Sequence, residues 1–194
     1  PPPATPSGMA SATGSAAATA AETAPPPPPP PPPAPVEKQR YVVAAMGDSL
    51  TDPRSHGGKY LDVLRERCPE SIFDSYGVGG NMVNQMRKRF LRDVFGKSED
   101  GVRRMAKPTY THVLVLGGIN DICSDEKALR TNDKIYADME KMFAMTRENG
   151  AKVIAMTVPP WAGFTAFYNP RREASTFALN DWIRQRGKDG DVDA

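Results

Sequence analysis

Residues 41–52 read YVVAAMGDSLTD, six apolar residues followed by a glycine and a mainly polar segment. A continuous apolar run of this length is typical of a strand that is buried on both faces, as in a parallel sheet. Gly47 ends the run, and Asp48 and Ser49 follow it directly. The stretch therefore predicts a central strand that carries a serine just beyond its carboxyl end.

The chain on either side of this stretch alternates between strand and helix patterns. We predict further strands at residues 71–76, 112–116 and 152–158, and helices at residues 58–68, 81–95, 132–149 and 172–186. In the last helix, one side is expected to face the core, with Phe177, Ala178, Trp182 and Ile183. Strands that alternate with helices predict an α/β fold, in which helices cover both faces of a parallel sheet.

The first 35 residues differ sharply in composition from the rest. They hold 14 of the 20 prolines and a single charged residue, Glu22. Such a segment cannot bury enough apolar surface to offset the entropy of ordering, so we predict a disordered Pro/Ala-rich tail or linker at residues 1–35. Residues 36–194 have the length of one globular domain. A tail of this composition suits an exported bacterial protein.

Composition excludes several classes of protein. The net charge of +2 gives no reason to expect a nucleic-acid partner. No apolar run approaches the ~20 residues of a membrane span. With two cysteines and two histidines, neither a disulfide-dense scaffold nor a cysteine-based zinc site is expected, and we predict no metal and no cofactor. The sequence indicates no oligomeric state.

The residues that follow the first three predicted strands are the candidates for chemistry. These segments are Gly47-Asp48-Ser49-Leu50, then Gly79-Gly80-Asn81, then Gly118-Ile119-Asn120-Asp121. In a parallel α/β sheet, ligands bind beyond the carboxyl ends of the strands. A hydroxyl, a glycine amide and a carboxamide are therefore expected to converge at one edge. Acyl transfer requires such a set, because the donors stabilise the oxyanion that forms when a nucleophile attacks a carbonyl.

In this order, the three segments resemble those of the SGNH or GDSL hydrolase family of esterases and lipases, over residues 40–194. The resemblance implies a three-layer α/β/α sandwich with a flavodoxin-like parallel sheet. It also implies hydrolysis of small-molecule, lipid or carbohydrate esters, with Ser49 as the nucleophile. The oxyanion donors would be Ser49, Gly80 and Asn120.

Two carboxylates would support this site by the same resemblance. Asp48 would shape the turn that presents the nucleophile, and Asp121 would lie beside the carboxamide of Asn120. Neither aspartate is expected to act as the base, because the family places the catalytic histidine and its aspartate in a late Asp-x-x-His segment.

This sequence contains no Asp-x-x-His segment. Asp191-Val192 resembles the beginning of a fifth strand, so we expect the domain of residues 36–194 to be incomplete at its C-terminus and this chain to be weakly active or inactive. His112 is expected at the opposite end of the sheet from Ser49. His56 lies in a glycine-flanked segment without an orienting carboxylate, which makes it a poor base.

Two further groups of residues have more than one interpretation. Four aromatic residues follow the fourth strand: Trp161, Phe164, Phe167 and Tyr168. They either line a substrate pocket, for which Trp161 and Phe164 are the first candidates, or pack on the rim of the sheet. The basic residues 87–89 and Arg92 alternate with apolar positions of the second helix and are expected to form a solvated face.

A second function remains open on the sequence alone. A non-catalytic α/β ligand-binding module, carried on a Pro-rich stalk, would have the same fold. The two functions differ at Ser49: its replacement by alanine abolishes hydrolysis by an esterase, whereas a binding module keeps its affinity for its ligand.

Overall fold

The computed structural model describes residues 39–194; the tail predicted at residues 1–35 lies outside the described residues. Within this part of the chain, the sheet is formed by β1 (Val42–Gly47), β2 (Ile72–Gly77), β3 (His112–Leu116) and β4 (Lys152–Ala155). The apolar run of the quoted stretch forms β1, and its five residues from Val43 to Gly47 are buried. The predicted central strand is thus present.

The helices follow the strands along the chain. They are α1 (Lys59–Arg67), α2 (Val83–Phe90), α3 (Ile119–Cys123), α4 (Asp125–Ala128), α5 (Asn132–Glu148) and α6 (Pro170–Lys188). A 3₁₀ turn covers Pro53–Ser55, and α2 continues into a π-helical turn, Leu91–Phe95. Because α3 and α4 have five and four residues, they are too short to produce a helical period in the sequence.

The four strands are all parallel and have the spatial order β2-β1-β3-β4. The chain passes from β1 to β2 on one side and then crosses to β3 on the other side of β1. The segments that follow β1 and β3 therefore meet at a crevice in the sheet, which is where such folds bind ligands.

Helices pack on both faces of this sheet. On one face, α2, α5 and α6 cover alternate strand residues; Phe90, Met139 and Leu179 belong to this cluster. On the other face, Leu61 of α1 packs with Val43 and the neighbouring apolar strand residues. The fold is the predicted α/β/α sandwich with a parallel sheet of the flavodoxin type.

The inward face of α6 differs from the predicted one. Phe177 is 60% exposed and Ala178 is also exposed, so their predicted place in the core was wrong. The buried positions are Thr176, Leu179, Asn180 and Ile183, at helical spacing. The apolar pattern does not show that a polar residue, Asn180, lies on the buried side, where its side chain is hydrogen-bonded to the backbone of Val158.

The predicted fourth and fifth strands also need correction. Strand β4 ends at Ala155 instead of residue 158, because the backbone of Val158 is hydrogen-bonded by the Asn180 side chain. Asp191 and Val192 are not part of a strand. The two residues after them do pair with β4: Asp193 donates its N–H to the carbonyl of Val153, and the carbonyl of Ala194 accepts the N–H of Ala155, both at 2.8 Å.

Candidate active site

Ser49 lies in a tight turn that begins where β1 ends. The backbone carbonyl of Asp48 accepts the N–H groups of Thr51 and Asp52 at 3.1 and 3.0 Å, and its carboxylate Oδ1 accepts the N–H of Leu50 at 2.9 Å. A Cβ atom on Gly47 would lie 2.1 Å from the Thr51 hydroxyl oxygen, so the turn needs glycine at this position. The turn leaves Ser49 half-buried at the carboxyl end of the sheet.

The glycine turn after β2 lies against this first turn. Gly79 donates its N–H to Asp52 Oδ2 at 3.0 Å. Gly80 has a φ of +76°, which favours glycine, and a Cβ atom there would meet no atom within 4 Å. Among the described residues, no acceptor is hydrogen-bonded to the N–H of Gly80. The turn therefore offers a free amide donor with open space beside it.

Asn120 lies in α3, directly after β3, and is joined to the glycine turn. Its Nδ2 donates to the backbone carbonyl of Asn81, the residue after Gly80, at 3.0 Å. A carboxamide nitrogen carries two hydrogens, so one N–H of Asn120 stays available for a ligand.

Asp121 joins α3 to the beginning of α2. Its Oδ2 accepts the N–H of Val83 at 2.8 Å, and its Oδ1 accepts from Arg130 Nε at 2.7 Å. The same guanidinium reaches Asp138 of α5 at 2.7 Å. Burial raises the pKa of Asp121, although Arg130 favours the charged form.

Asp48 is fully buried, and one of its carboxylate oxygens is unpaired. Within residues 39–194, Oδ2 of Asp48 has no hydrogen-bond partner. Burial raises the pKa of Asp48 to about 6, and the negative charge of Asp121 adds to this effect.

A cavity of about 480 Å³ opens at this end of the sheet and brings together several of the predicted residues. Ser49, Asn120, Trp161 and Phe164 all line it. The indole of Trp161 is fixed by a hydrogen bond from Nε1 to the Thr176 hydroxyl at 3.0 Å. Trp161 and Phe164 therefore form part of the wall of this cavity.

Other predicted residues do not line this cavity. Gly80 is not among its lining residues, but the next residue, Asn81, is hydrogen-bonded to Asn120, which lines it. His112 is paired in register with Val43, at the opposite end of the sheet. His56 is exposed, and neither histidine lines this cavity.

The solvated face predicted for the basic residues of α2 was partly wrong. Arg89 has a side chain that is only 11% exposed, and it points towards the ends of β1 and β2. Arg87 pairs with Asp138 at 2.7 Å, whereas Lys88 and Arg92 are exposed as predicted. The sequence gives only a weak indication that Arg89 is buried, which is its position immediately before Phe90, at the edge of the apolar stripe of the helix.

Sequence reasoning also missed several residues of the cavity wall. Phe167 lines the cavity and Tyr168 does not, but Leu50, Ile119, Cys123 and Ser124, which also line it, were not predicted. Their position follows from the turns and short helices after the strands, which periodicity does not predict. Among residues 39–194, no cluster of His, Cys, Asp or Glu side chains is suited to hold a metal ion, and none of the helices is long and apolar enough to cross a membrane.

Solved structures with this arrangement of strands and helices are similar to the chain. A GDSL-like lipase from Bacteroides thetaiotaomicron has a TM-score of 0.54 and 20% identity, over 80% of this chain and 67% of that one. The acetylxylan esterase Axe2 from Geobacillus stearothermophilus has a TM-score of 0.59 and 16% identity, over 78% and 74%. LAE5, an alpha/beta hydrolase from the metagenome of Lake Arreo, has a TM-score of 0.55 and 20% identity, over 76% and 72%.

The sequence comparisons are more specific than the structural ones. No curated protein matches the chain. Residues 45–194 match the model of the GDSL-like lipase/acylhydrolase family, from the middle of β1 to the end of the chain. This match covers most of the chain, including all three segments at the strand ends, and the chain therefore belongs to the GDSL-like lipase/acylhydrolase family.

Proposed function

We propose that this chain is a serine hydrolase of carboxylic esters, with Ser49 as the nucleophile. Membership of the family supports ester hydrolysis in general. The observation that carries the finer proposal is the shared cavity, in which Ser49 and Asn120 line one wall at the carboxyl end of the sheet. The free amide of Gly80 lies next to the residue that binds Asn120.

The proposed reaction begins when the Ser49 hydroxyl attacks the carbonyl carbon of the ester. A base removes the hydroxyl proton, and the carbonyl oxygen becomes an oxyanion. In this proposal three donors stabilise the charge: the backbone N–H groups of Ser49 and Gly80, and the second N–H of Asn120. The bond to the alcohol then breaks, the alcohol takes the proton, and water hydrolyses the acyl-serine.

A similar esterase supports the role of serine. In Axe2, the catalytic mutants replace a serine, an aspartate or a histidine. In the present chain, Ser49 follows β1 in the position expected for the nucleophile. Neither of the two histidines lines the cavity, so a test of activity needs an added base, such as imidazole, to accept the proton of Ser49.

The cavity wall favours an ester with an apolar group. Trp161, Phe164 and Phe167 contribute aromatic surface, and Leu50 and Ile119 contribute aliphatic surface. Aromatic and aliphatic walls with a few polar groups are typical of small-molecule sites. We therefore propose Trp161 and Phe164 as part of the substrate pocket.

Labelling with a fluorophosphonate tests the nucleophile directly. In the presence of imidazole, we expect an adduct that mass spectrometry maps to Ser49, and no adduct in Ser49→Ala. Ser55→Ala is the matched control, because the Ser55 hydroxyl is bonded to Asp52 and does not line the cavity. Equal labelling and equal p-nitrophenyl ester hydrolysis in wild type and Ser49→Ala would refute the proposal and leave the non-catalytic ligand-binding module.

A further inference from the structure

We propose that Arg89 is a positioning residue. It holds the turn of residues 47–52, which carries Ser49 (the nucleophile turn), in place relative to the turn of residues 77–81, which carries Gly80 (the oxyanion turn). This inference rests on the proposed function, since it assigns Arg89 to the same site. Arg89 lies near the end of α2, and its guanidinium makes hydrogen bonds to four groups: the carbonyls of Gly47 and Tyr76, and the side chains of Asn81 and Asp93.

Two of these contacts fix the ends of adjacent strands. Arg89 Nη2 donates to the carbonyl of Gly47 at 2.9 Å, and Nη1 donates to the carbonyl of Tyr76 at 2.8 Å. Gly47 is the last residue of β1, two positions before Ser49, and Tyr76 is the penultimate residue of β2. The guanidinium therefore spans the point where both strands pass into their functional turns.

A third contact reaches the oxyanion turn. Arg89 Nε donates to Asn81 Oδ1 at 2.8 Å. The backbone carbonyl of the same Asn81 accepts from the Asn120 side chain at 3.0 Å. Through Asn81, Arg89 is connected both to the free amide of Gly80 and to the carboxamide of Asn120. The Arg89 side chain thus contacts both the nucleophile turn and the oxyanion turn, and through Asn81 it is linked to Asn120 in α3.

The chemistry of these contacts requires arginine. A guanidinium is a planar fork of five N–H donors, so it can bind several separate acceptors in one plane at the same time. A lysine has the same charge but a compact ammonium, which cannot span these acceptors. The ion pair with Asp93, at 3.0 Å, neutralises the charge of the nearly buried guanidinium.

Arg89→Lys separates the positioning role from the charge. With imidazole as the base, we expect its kcat for a p-nitrophenyl ester to fall by about 100-fold, because small misplacements of reacting groups have effects of this size. We expect KM to change little, because Arg89 does not line the cavity. Arg92→Gln is the matched control: Arg92 also pairs with Asp93, but it is exposed and hydrogen-bonds neither strand end. It should keep the wild-type kcat.

Hydrogen exchange tests the same role without any catalytic turnover. In Arg89→Lys, we expect the amides of Thr51 and Asn81 to exchange faster than in Arg92→Gln. Asn81→Ala removes the hydrogen bond from Arg89 Nε to Asn81 Oδ1 but keeps the bonds of Arg89 to the two strand ends. It should accelerate hydrogen exchange at the amide of residue 81 but not at that of Thr51. This second variant keeps the test decisive if Arg89→Lys does not fold.

Two results would overturn the inference. One is a wild-type kcat in Arg89→Lys, and the other is equal exchange at Thr51 and Asn81 in Arg89→Lys and Arg92→Gln. Failure of the proposed function has a different signature, since Ser49→Ala would then hydrolyse the ester as fast as wild type. In that case the exchange comparison still decides whether Arg89 positions the two turns.

Discussion

The carboxylate of Asp48 stabilises the turn around Ser49 with one oxygen, whereas its other oxygen is buried without a hydrogen-bond donor among the described residues. The first oxygen is Oδ1, which accepts the N–H of Leu50, and the second is Oδ2. A buried carboxylate oxygen without a donor disfavours the charged form. For this reason burial, together with the charge of Asp121, raises the pKa of Asp48 to about 6.

The raised pKa predicts a stability that falls as the pH rises. The ordinary pKa of an aspartate is 3.8, so between about pH 4 and 6 the folded state binds more protons at Asp48 than the unfolded state does. The free energy of unfolding should therefore decrease across this window, by about 3 kcal/mol at most. In Asp48→Asn this decrease should disappear, which urea unfolding at several pH values between about 2 and 8 would measure.

Asp52→Asn provides a control of opposite sign for this prediction. Its hydrogen bond with Arg54 lowers the pKa of Asp52 to about 2, so the contribution of Asp52 is lost only as the pH falls below about 4. If the free energy of unfolding changed with pH in the same way in wild type and in Asp48→Asn, the raised pKa could not belong to Asp48.

At the scale of elements, long apolar runs predicted their strands well. Residues 112–116 form β3 as predicted, because a strand buried on both faces must be apolar throughout. The helices α3 and α4 and the π-helical turn Leu91–Phe95 could not be predicted. Their conformation depends on tertiary contacts, such as the ion pair of Asp121 in α3 with Arg130 in the loop between α4 and α5.

Asn180 is the clearest case of a tertiary contact that decides where an element ends. Its Oδ1 accepts the N–H of Val158 at 2.8 Å, and its Nδ2 donates to the carbonyl of Val158 at 2.9 Å. The last bond to β3 runs from the Met156 N–H to the Val115 carbonyl at 2.9 Å, so the Asn180 side chain provides the partners for the buried backbone of Val158 beyond that point. The two bonds of Asn180 also hold the start of the segment that carries Trp161 to the cavity.

We therefore expect Asn180→Ala to lower the free energy of unfolding by about 2–4 kcal/mol, because it leaves two buried backbone groups without partners. Phe177→Ala, in the same helix at a 60% exposed position, should change it by about 0.5 kcal/mol or less. Equilibrium unfolding in urea would measure both variants. Equal losses of stability would mean that the exposed face of α6, and not the contact with Val158, stabilises this helix.

For the whole molecule, the parallel topology predicted which segments meet. Ser49 and Asn120 are 71 positions apart in sequence, yet both line one cavity because β1 and β3 are neighbours in the sheet. The sequence could not show that Arg89 contacts two strand ends. At the edge of an apolar stripe, the direction of a side chain depends on which acceptors the rest of the fold places near it, and here these are the carbonyls of Gly47 and Tyr76. The sequence also did not show that Gly80 is absent from the cavity lining.

The distribution of histidines over the molecule leads to the last prediction. His112 lies at the opposite end of the sheet from Ser49, and burial lowers its pKa. His56 is exposed and does not line the cavity. Since a base must reach the proton of the nucleophile, neither histidine is placed to activate Ser49.

We therefore expect His56→Gln and His112→Gln to hydrolyse p-nitrophenyl acetate at the wild-type rate, and added imidazole to increase the rate of all three proteins. Imidazole also cleaves this ester in free solution, so the rate with Ser49→Ala at the same imidazole concentration must be subtracted. The remaining rate should rise with the concentration of neutral imidazole, and therefore with pH near its pKa. A loss of activity in His56→Gln alone would instead identify His56 as the base, and the Gly57 segment would then have to move towards Ser49 during catalysis.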